Sequence, residues 1–128
     1  MVDDEPALLE SMRSYLSRLG HMVKAFRSGA AAWDYFSADP SACSVAIVDL
    51  TLVGMSGEEF IRKVLDRNPN MAILATSGYP PSLHDLQEPP GARIELLEKP
   101  FTPSMLTDAL DRLLESSGGA AGKQTPGV

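Results

Sequence analysis

Apolar residues along this chain follow two kinds of spacing. Continuous apolar runs occur at residues 45–48 and 71–75, and such short runs are typical of strands buried on both faces of a sheet. Residues 94–97, which are apolar apart from one glutamate, predict a further strand. Between the runs, apolar residues recur every three or four positions, as on the buried side of a helix. The alternation predicts an α/β domain with helices on both faces of a doubly wound parallel sheet.

The first helix is predicted near the start of the chain. Its proposed buried stripe consists of residues at steps of three and four: Leu8, Met12, Tyr15 and Leu19. Pro6 suits the first turn of this helix, and Gly20 is a natural stop. A short extended segment, residues 22–26, follows and is the candidate for an edge strand.

Three later helices are predicted from capping residues. Ser28, Ser56 and Thr102 each precede a helical apolar pattern, and hydroxyl side chains are favoured at helix N-caps. Residues 80–91 contain four prolines, which leave room for about two helical turns around residues 82–87. The prediction is one domain over residues 1–115, followed by a flexible tail over residues 116–128.

Composition narrows the class of protein. The chain has 128 residues, 44% hydrophobic and 22% charged, with a formal net charge of −6. A negative net charge disfavours binding to nucleic acid. One cysteine excludes an internal disulfide framework. With no long apolar segment and an acidic start where a signal peptide would be basic, we expect a cytoplasmic protein without membrane contact.

Polar residues stand where the predicted strands end. Asp3 and Asp4 follow the first short apolar stretch, Asp49 ends the run 45–48, and Lys99 closes the segment 94–97. The carboxyl ends of parallel strands meet at one edge of a sheet, which is where such folds bind ligands. Three close carboxylates repel unless a cation neutralises them, and oxygen-only ligands favour Mg²⁺. This edge is the predicted site.

Four short motifs occur in order across almost the whole domain. They are Val2-Asp3-Asp4-Glu5-Pro6, Val48-Asp49-Leu50 with Gly57 eight residues after the aspartate, Thr76-Ser77-Gly78-Tyr79, and Lys99-Pro100-Phe101. Together they resemble the receiver domain of two-component response regulators. The resemblance covers roughly residues 1–115. It implies a flavodoxin-like fold with five parallel strands in the order 2-1-3-4-5.

The resemblance also implies roles for individual residues. Asp49 would accept a phosphoryl group from a histidine kinase or a histidine phosphotransfer protein. Asp4 and Asp49 would bind Mg²⁺ directly, the backbone carbonyl of Thr51 would add a ligand, and Asp3 would act through water. Lys99 would pair with Asp49 and then with its phosphate, across a cis peptide bond to the following proline. The protein would catalyse only its own phosphoryl transfer and dephosphorylation.

Two hydroxyls compete for the role of the switch residue that bonds the phosphate. We prefer Ser77, because Gly78 follows it and a small residue usually follows the switch hydroxyl in the family. Thr76 is the second choice, since neighbours on a strand point to opposite faces and both cannot serve. Leu96 stands where many receivers carry an aromatic residue that rotates on activation. The resemblance therefore does not predict that activation of this chain is coupled to the rotation of an aromatic side chain.

Three alternatives to an independent phosphorylated switch stay open. The chain is also consistent with a receiver domain excised from a hybrid histidine kinase, or with a pseudo-receiver that acts by protein contact alone. A Mg²⁺-dependent phosphohydrolase ranks last, because Thr51 occupies the position where such enzymes need an acid/base carboxylate. The sequence does not identify the output partner.

The first strand of the expected sheet is very short. Only Met1 and Val2 precede the acidic pair, whereas a central strand normally has about five or six residues. We therefore expect strand one to be truncated. Three explanations are open: Met1 is an internal residue of a longer natural protein, a neighbouring chain fills the gap, or the domain is only marginally stable. We favour the first.

Overall fold

Helices and strands alternate along the chain in a computed structural model that describes residues 1–52, 54–78 and 93–116. Within these ranges the elements are α1 (Pro6–Arg18), α2 (Gly29–Ala38), β1 (Val45–Asp49), α3 (Gly57–Arg67), β2 (Ala72–Ser77), β3 (Arg93–Glu98) and α4 (Pro103–Ser116). The three strands form a parallel sheet in the order β1-β2-β3. All six residues of β2 are buried, as expected for a central strand covered on both faces.

Helices cover both faces of this sheet. On one face, α1 and α4 pack against alternate strand residues such as Ile47 and Leu74. On the other face, α2 and α3 pack against the neighbouring residues Val48 and Ile73. Because strand side chains alternate between faces, each strand contributes to both cores. The predicted α/β class and the doubly wound arrangement are confirmed.

The number of strands differs from the sequence prediction. The described residues form three strands rather than five, and the first two expected strands are reduced to isolated parallel bridges from Val2 to Phe26 and to Val48. The amide of Val2 donates to the carbonyl of Ile47 at 2.8 Å. The five-strand order 2-1-3-4-5 stays a prediction.

The capping residues begin their helices as predicted. Ser28 accepts a hydrogen bond from the amide of Ala31 at 3.2 Å, and Ser56 accepts one from Glu59 at 3.1 Å. Thr102 likewise accepts one from Met105 at 3.2 Å. Each of these bonds satisfies an amide that lacks a partner in the first turn of a helix.

The predicted buried stripe of α1 is confirmed in part, since Met12 is buried and Leu8 and Tyr15 are partly buried against the core. The buried residues are Leu9, Met12 and Leu16, whereas Leu19 lies beyond the helix and is 53% exposed. Apolar residues occupy two adjacent stripes of this helix, and periodicity alone cannot decide which of them faces the sheet. The packing against α4 and the sheet makes that choice.

Two predicted segments lie wholly or largely outside the residues that the structure describes. The short helix predicted around residues 82–87 lies outside them, as does the tail from residue 117 onward. Ser116, which the sequence assigns to the tail, is the last residue of α4. None of the helices in the described ranges is long and apolar enough to cross a membrane.

The α-amino group of Met1 is enclosed by the fold. It donates to the carbonyl of Lys24 at 2.9 Å, and Met1 is buried. Burial lowers the pKa of this amino group from its ordinary value of 8.0 to about 6, because the charged form is poorly solvated there.

For the chain that starts at Met1, this shift predicts a stability that depends on pH. Between pH 6 and 8 the unfolded chain holds the proton more tightly than the folded one, so the free energy of unfolding rises with pH. We expect a gain of roughly 2–3 kcal/mol across this window, because the cost of burying the charged amine is fully present below pH 6 and is lost by pH 8. Urea midpoints measured from pH 5.5 to pH 8.5 check it, and a chain acetylated at Met1 should lack the slope. An equal slope in the acetylated chain would contradict this account.

Candidate phosphoryl-transfer site

Three distant segments of the chain meet at the carboxyl edge of the sheet. Asp49 is the last residue of β1, and its amide donates to the carbonyl of Val2 at 3.0 Å, which places Asp3 beside it. Lys99 directly follows β3, and its amide donates to the carbonyl of Ser77 at 2.7 Å. The parallel ladder therefore brings together the acidic pair, the predicted acceptor and the lysine, as the sequence predicts.

The three aspartates form one cluster. Asp3, Asp4 and Asp49 each offer a carboxylate oxygen, and these oxygens lie within 4.8 Å of one another. Asp3 and Asp49 are each only 1% exposed, whereas Asp4 is half-buried. Buried carboxylates at this separation repel each other strongly unless cations lie beside them.

Lys99 supplies one of the required positive charges. Its Nζ lies 3.0 Å from Asp3 Oδ2, 3.4 Å from Asp49 Oδ2 and 3.4 Å from Glu5 Oε1. Partial burial lowers the pKa of Lys99, but the hydrogen bond and charge of Asp3, with the charges of Asp49 and Glu5, outweigh burial and raise it above its ordinary value. The ammonium therefore stays charged, as a group that binds a phosphoryl oxygen must.

Both carboxylate oxygens of Asp3 accept hydrogen bonds from the protein. Its Oδ1 accepts the amide of Glu5 at 2.9 Å, and its Oδ2 accepts Lys99. Burial raises the pKa of Asp3, and these two hydrogen bonds offset that effect only in part. Asp3 is therefore held by the backbone of the first helix on one side and by Lys99 on the other.

Asp49 is held from its other side by Thr51. Its Oδ1 accepts both the Thr51 amide at 2.9 Å and the Thr51 hydroxyl at 2.7 Å, while Oδ2 faces Lys99. The sequence reasoning assigned a role only to the Thr51 carbonyl and missed this hydroxyl. A hydroxyl two residues after an aspartate is a common turn contact, so the sequence contains a weak signal for it.

Gly57 allows the backbone of the acceptor strand to approach α3 closely. A Cβ at this position would lie 2.4 Å from the carbonyl oxygen of Asp49 and 2.5 Å from the Cα of Leu50. Both distances are far below van der Waals contact. The absence of a side chain at Gly57 therefore lets the first residue of α3 lie against the backbone of the acceptor.

Both candidate switch hydroxyls belong to buried residues at the carboxyl end of β2. Thr76 is the strand neighbour of Asp49, and Ser77, which follows it, is the neighbour of Glu98. By strand alternation, Thr76 belongs to the face of Leu74 and Ser77 to the face of Ala75. The choice between the two hydroxyls stays a prediction.

Other features of the site agree with the sequence or extend it. The Lys99–Pro100 peptide bond is cis, as the resemblance implied. Leu96 is partly buried and packs against the core formed with α2 and α3. The contact of Glu5 with Lys99 was not expected, although Glu5 is part of the acidic motif at the start of the chain.

The donor set suits a hard divalent cation. Three carboxylates face a single ammonium, so negative charge is in excess, and the clustered atoms are all oxygens. Oxygen ligands favour Mg²⁺ and similar ions over zinc or copper. The cluster therefore has the geometry and chemistry to hold a metal ion.

Comparison with known families agrees with this geometry. Residues 1–111 match the family described as response regulator receiver domain, so the chain belongs to that family. A receiver protein of known structure from Sinorhizobium medicae WSM419 is 31% identical, with a TM-score of 0.77 over 91% of this chain and 92% of that one. A receiver domain from Clostridium thermocellum, 23% identical, has the same fold, with a TM-score of 0.81 over 91% and 93% of the two chains.

The chain matches only part of its curated relatives. It is 29% identical over 127 residues to the C4-dicarboxylate transport transcriptional regulatory protein DctD of Rhizobium meliloti, covering 97% of this chain but 25% of DctD. It is 28% identical over 115 residues to the transcriptional regulatory protein FixJ of the same organism, covering 90% of this chain and 55% of FixJ. Sensor kinase CckA of Brucella abortus is 25% identical over 116 residues, covering 90% of this chain and 12% of the kinase.

Proposed function

We propose that this receiver domain is a phosphorylation-controlled signalling switch with Asp49 as its phosphoacceptor. The observation that carries the proposal is the position of Asp49, buried at a strand end between two further aspartates and within 3.4 Å of Lys99. In the reaction, an oxygen of Asp49 forms a bond to phosphorus while the phosphorus–nitrogen bond of a phosphohistidine breaks. The bonding electrons go to the imidazole nitrogen, which takes a proton from solvent, and an acyl phosphate remains on Asp49.

The residues of this chain position and neutralise the reacting groups. Lys99 pairs with the carboxylate of Asp49 before the reaction, and afterwards with an oxygen of the new phosphate. Thr51 holds the second oxygen of Asp49 and so orients the carboxylate. Mg²⁺ would be held by Asp4, Asp49 and the Thr51 carbonyl, and would neutralise charge that develops on the phosphoryl oxygens. Asp3 would act through water.

The proposed donor is a histidine kinase or a histidine phosphotransfer protein, and the similarity to part of a sensor kinase supports this class of partner. In this proposal the protein catalyses only the transfer and removal of its own phosphoryl group. It is not an enzyme with an independent substrate. The direct test is to mix the chain with a small acyl phosphate donor and Mg²⁺ and to locate the added phosphoryl group by mass spectrometry. A modification mapped to any other residue would contradict the assignment.

The roles of the acidic pair predict unequal effects on metal binding. Asp4→Ala should weaken Mg²⁺ binding by about tenfold or more, because it removes a direct ligand, whereas Asp3→Ala should weaken it several times less. Calorimetric titration with Mg²⁺ measures both affinities, and circular dichroism confirms that both variants are folded. Equal losses in the two variants would show that the assigned roles are wrong.

The two hydroxyls predict different responses to phosphorylation. Ser77→Ala should still accept a phosphoryl group but lose most of the accompanying change in amide NMR shifts along β3 and α4, because the bond from the switch hydroxyl is gone. Thr76→Val, which removes the other hydroxyl at similar volume, should keep that change. Spectra recorded with and without the donor compare them, and the reverse pattern would make Thr76 the switch residue.

A further inference from the structure

Glu5 occupies the N-cap position of α1 but uses its side chain elsewhere. Within the described first helix, the carboxylate does not cap the backbone. Its Oε1 instead lies 3.4 Å from Nζ of Lys99, a residue 94 positions away. An acidic residue at a helix start is usually explained by capping or by the helix dipole. The contact with Lys99 indicates instead that this side chain has a role at the site.

The three partners of Lys99 differ in how easily they can be replaced. A lysine ammonium has three N–H donors, and Asp3, Asp49 and Glu5 together provide three acceptors. The side chains of Asp3 and Asp49 are almost fully buried, whereas that of Glu5 is 64% exposed. Because the side chain of Glu5 is already exposed, water can solvate its carboxylate when the contact with Lys99 is lost.

The space around Lys99 opens on the side of Glu5. A cavity of about 450 Å³ borders both residues, and its described lining also includes Gly78 and Phe101. An anion in this cavity borders both the ammonium of Lys99 and the carboxylate of Glu5. Two negative groups that compete for one ammonium disfavour each other.

Building on the proposed phosphoryl transfer, we infer that Glu5 is a positioning residue that holds Lys99 in the unmodified site and is displaced by an incoming phosphoryl oxygen. Because the displaced carboxylate stays near the phosphoryl group, Glu5 also opposes its binding. In this way Glu5 lowers the affinity of the site for a phosphoryl anion and slows phosphorylation at low donor concentration. The site is thereby biased toward its unmodified state.

The test is Glu5→Gln, which removes the charge and keeps the size of the side chain. Beryllium trifluoride is an anionic analogue of the phosphoryl group. We expect it to bind this variant about twofold to fivefold more tightly than the wild type, because exposed ion pairs contribute free energies that correspond to this range. Phosphorylation at low concentrations of an acyl phosphate should accelerate by the same factor. Both measurements use Mg²⁺ raised until the result no longer depends on it, and the difference should shrink at about 1 M salt.

The matched control is Glu10→Gln. Glu10 lies on the same helix and pairs with Arg13 at the surface, so the variant removes the same charge without touching Lys99. Its affinity and rate should equal those of the wild type. Three results would overturn the inference but leave phosphorylation of Asp49 intact. They are an affinity and rate of Glu5→Gln equal to those of the wild type, an equal gain in Glu5→Gln and Glu10→Gln, and weaker binding of beryllium trifluoride by Glu5→Gln. Failure of the wild type to accept a phosphoryl group would overturn the proposed function and this inference together.

Discussion

Replacing Asp49 by asparagine is expected to abolish phosphorylation of this chain by a small acyl phosphate. The amide keeps the shape of the side chain and can still accept the hydrogen bonds from Thr51, but it lacks the anionic oxygen that attacks phosphorus. It also removes one of the three clustered carboxylates. Intact-mass spectrometry after incubation with donor and Mg²⁺ should show one added phosphoryl group on the wild type and none on Asp49→Asn.

The control for this experiment is Asp66→Asn, which makes the same chemical change at an exposed position on α3. It should be labelled as the wild type is. Asp49→Asn is also expected to remain folded, because removing a charge from a buried acidic cluster relieves repulsion. If the Asn variant carries as much label as the wild type, Asp49 is not the acceptor.

Replacing Gly57 by alanine is expected to destabilise the domain by about 2–4 kcal/mol. The new Cβ would lie 2.4 Å from the carbonyl oxygen of Asp49 and 2.5 Å from the Cα of Leu50, so the backbone of the acceptor strand or the start of α3 must move. The prediction runs against helix propensity, since Gly→Ala within a helix normally stabilises by roughly 0.5–1 kcal/mol. Urea unfolding of the two proteins measures the difference.

The same substitution should also slow phosphorylation, because a shift of the Asp49 backbone displaces its carboxylate from Lys99 and Thr51. Gly78→Ala is the control for stability, since a Cβ there meets nothing within 4 Å, and it should change the free energy of unfolding by less than about 1 kcal/mol. A Gly57→Ala variant as stable as the wild type would show that the close approach is not required.

Much of the fold could be predicted because its signals are local. Ser28, Ser56 and Thr102 cap their helices as their spacing predicts, and each bond joins residues only three positions apart. The three strands predicted at residues 45–48, 71–75 and 94–97 correspond to β1, β2 and β3, with boundaries shifted by one or two residues. Once the alternation of strands and helices was recognised, a parallel sheet followed, and with it the meeting of Asp3, Asp4, Asp49 and Lys99 at one edge.

Other features were decided by tertiary packing. The sequence offers two adjacent apolar stripes on α1, and only contact with the distant elements of the core buries Leu9 and Leu16 fully while Leu8 stays partly buried. The bridges of Val2 likewise depend on how much chain is present to pair on either side. Propensity and periodicity relate residues within a few positions, so they carry no information about which face meets a distant element.

The composition of the site follows from the sequence, but its contacts do not. The motifs were sufficient to name Asp3, Asp4, Asp49 and Lys99, because strand ends in a parallel sheet converge whatever the side chains do. The bond from Glu5 to Lys99, 94 positions apart, and the approach of Gly57 to the backbone of Asp49 depend on distances of a few ångströms between separate elements. Such distances are set by the packing of the helices against the sheet, which only the tertiary structure determines.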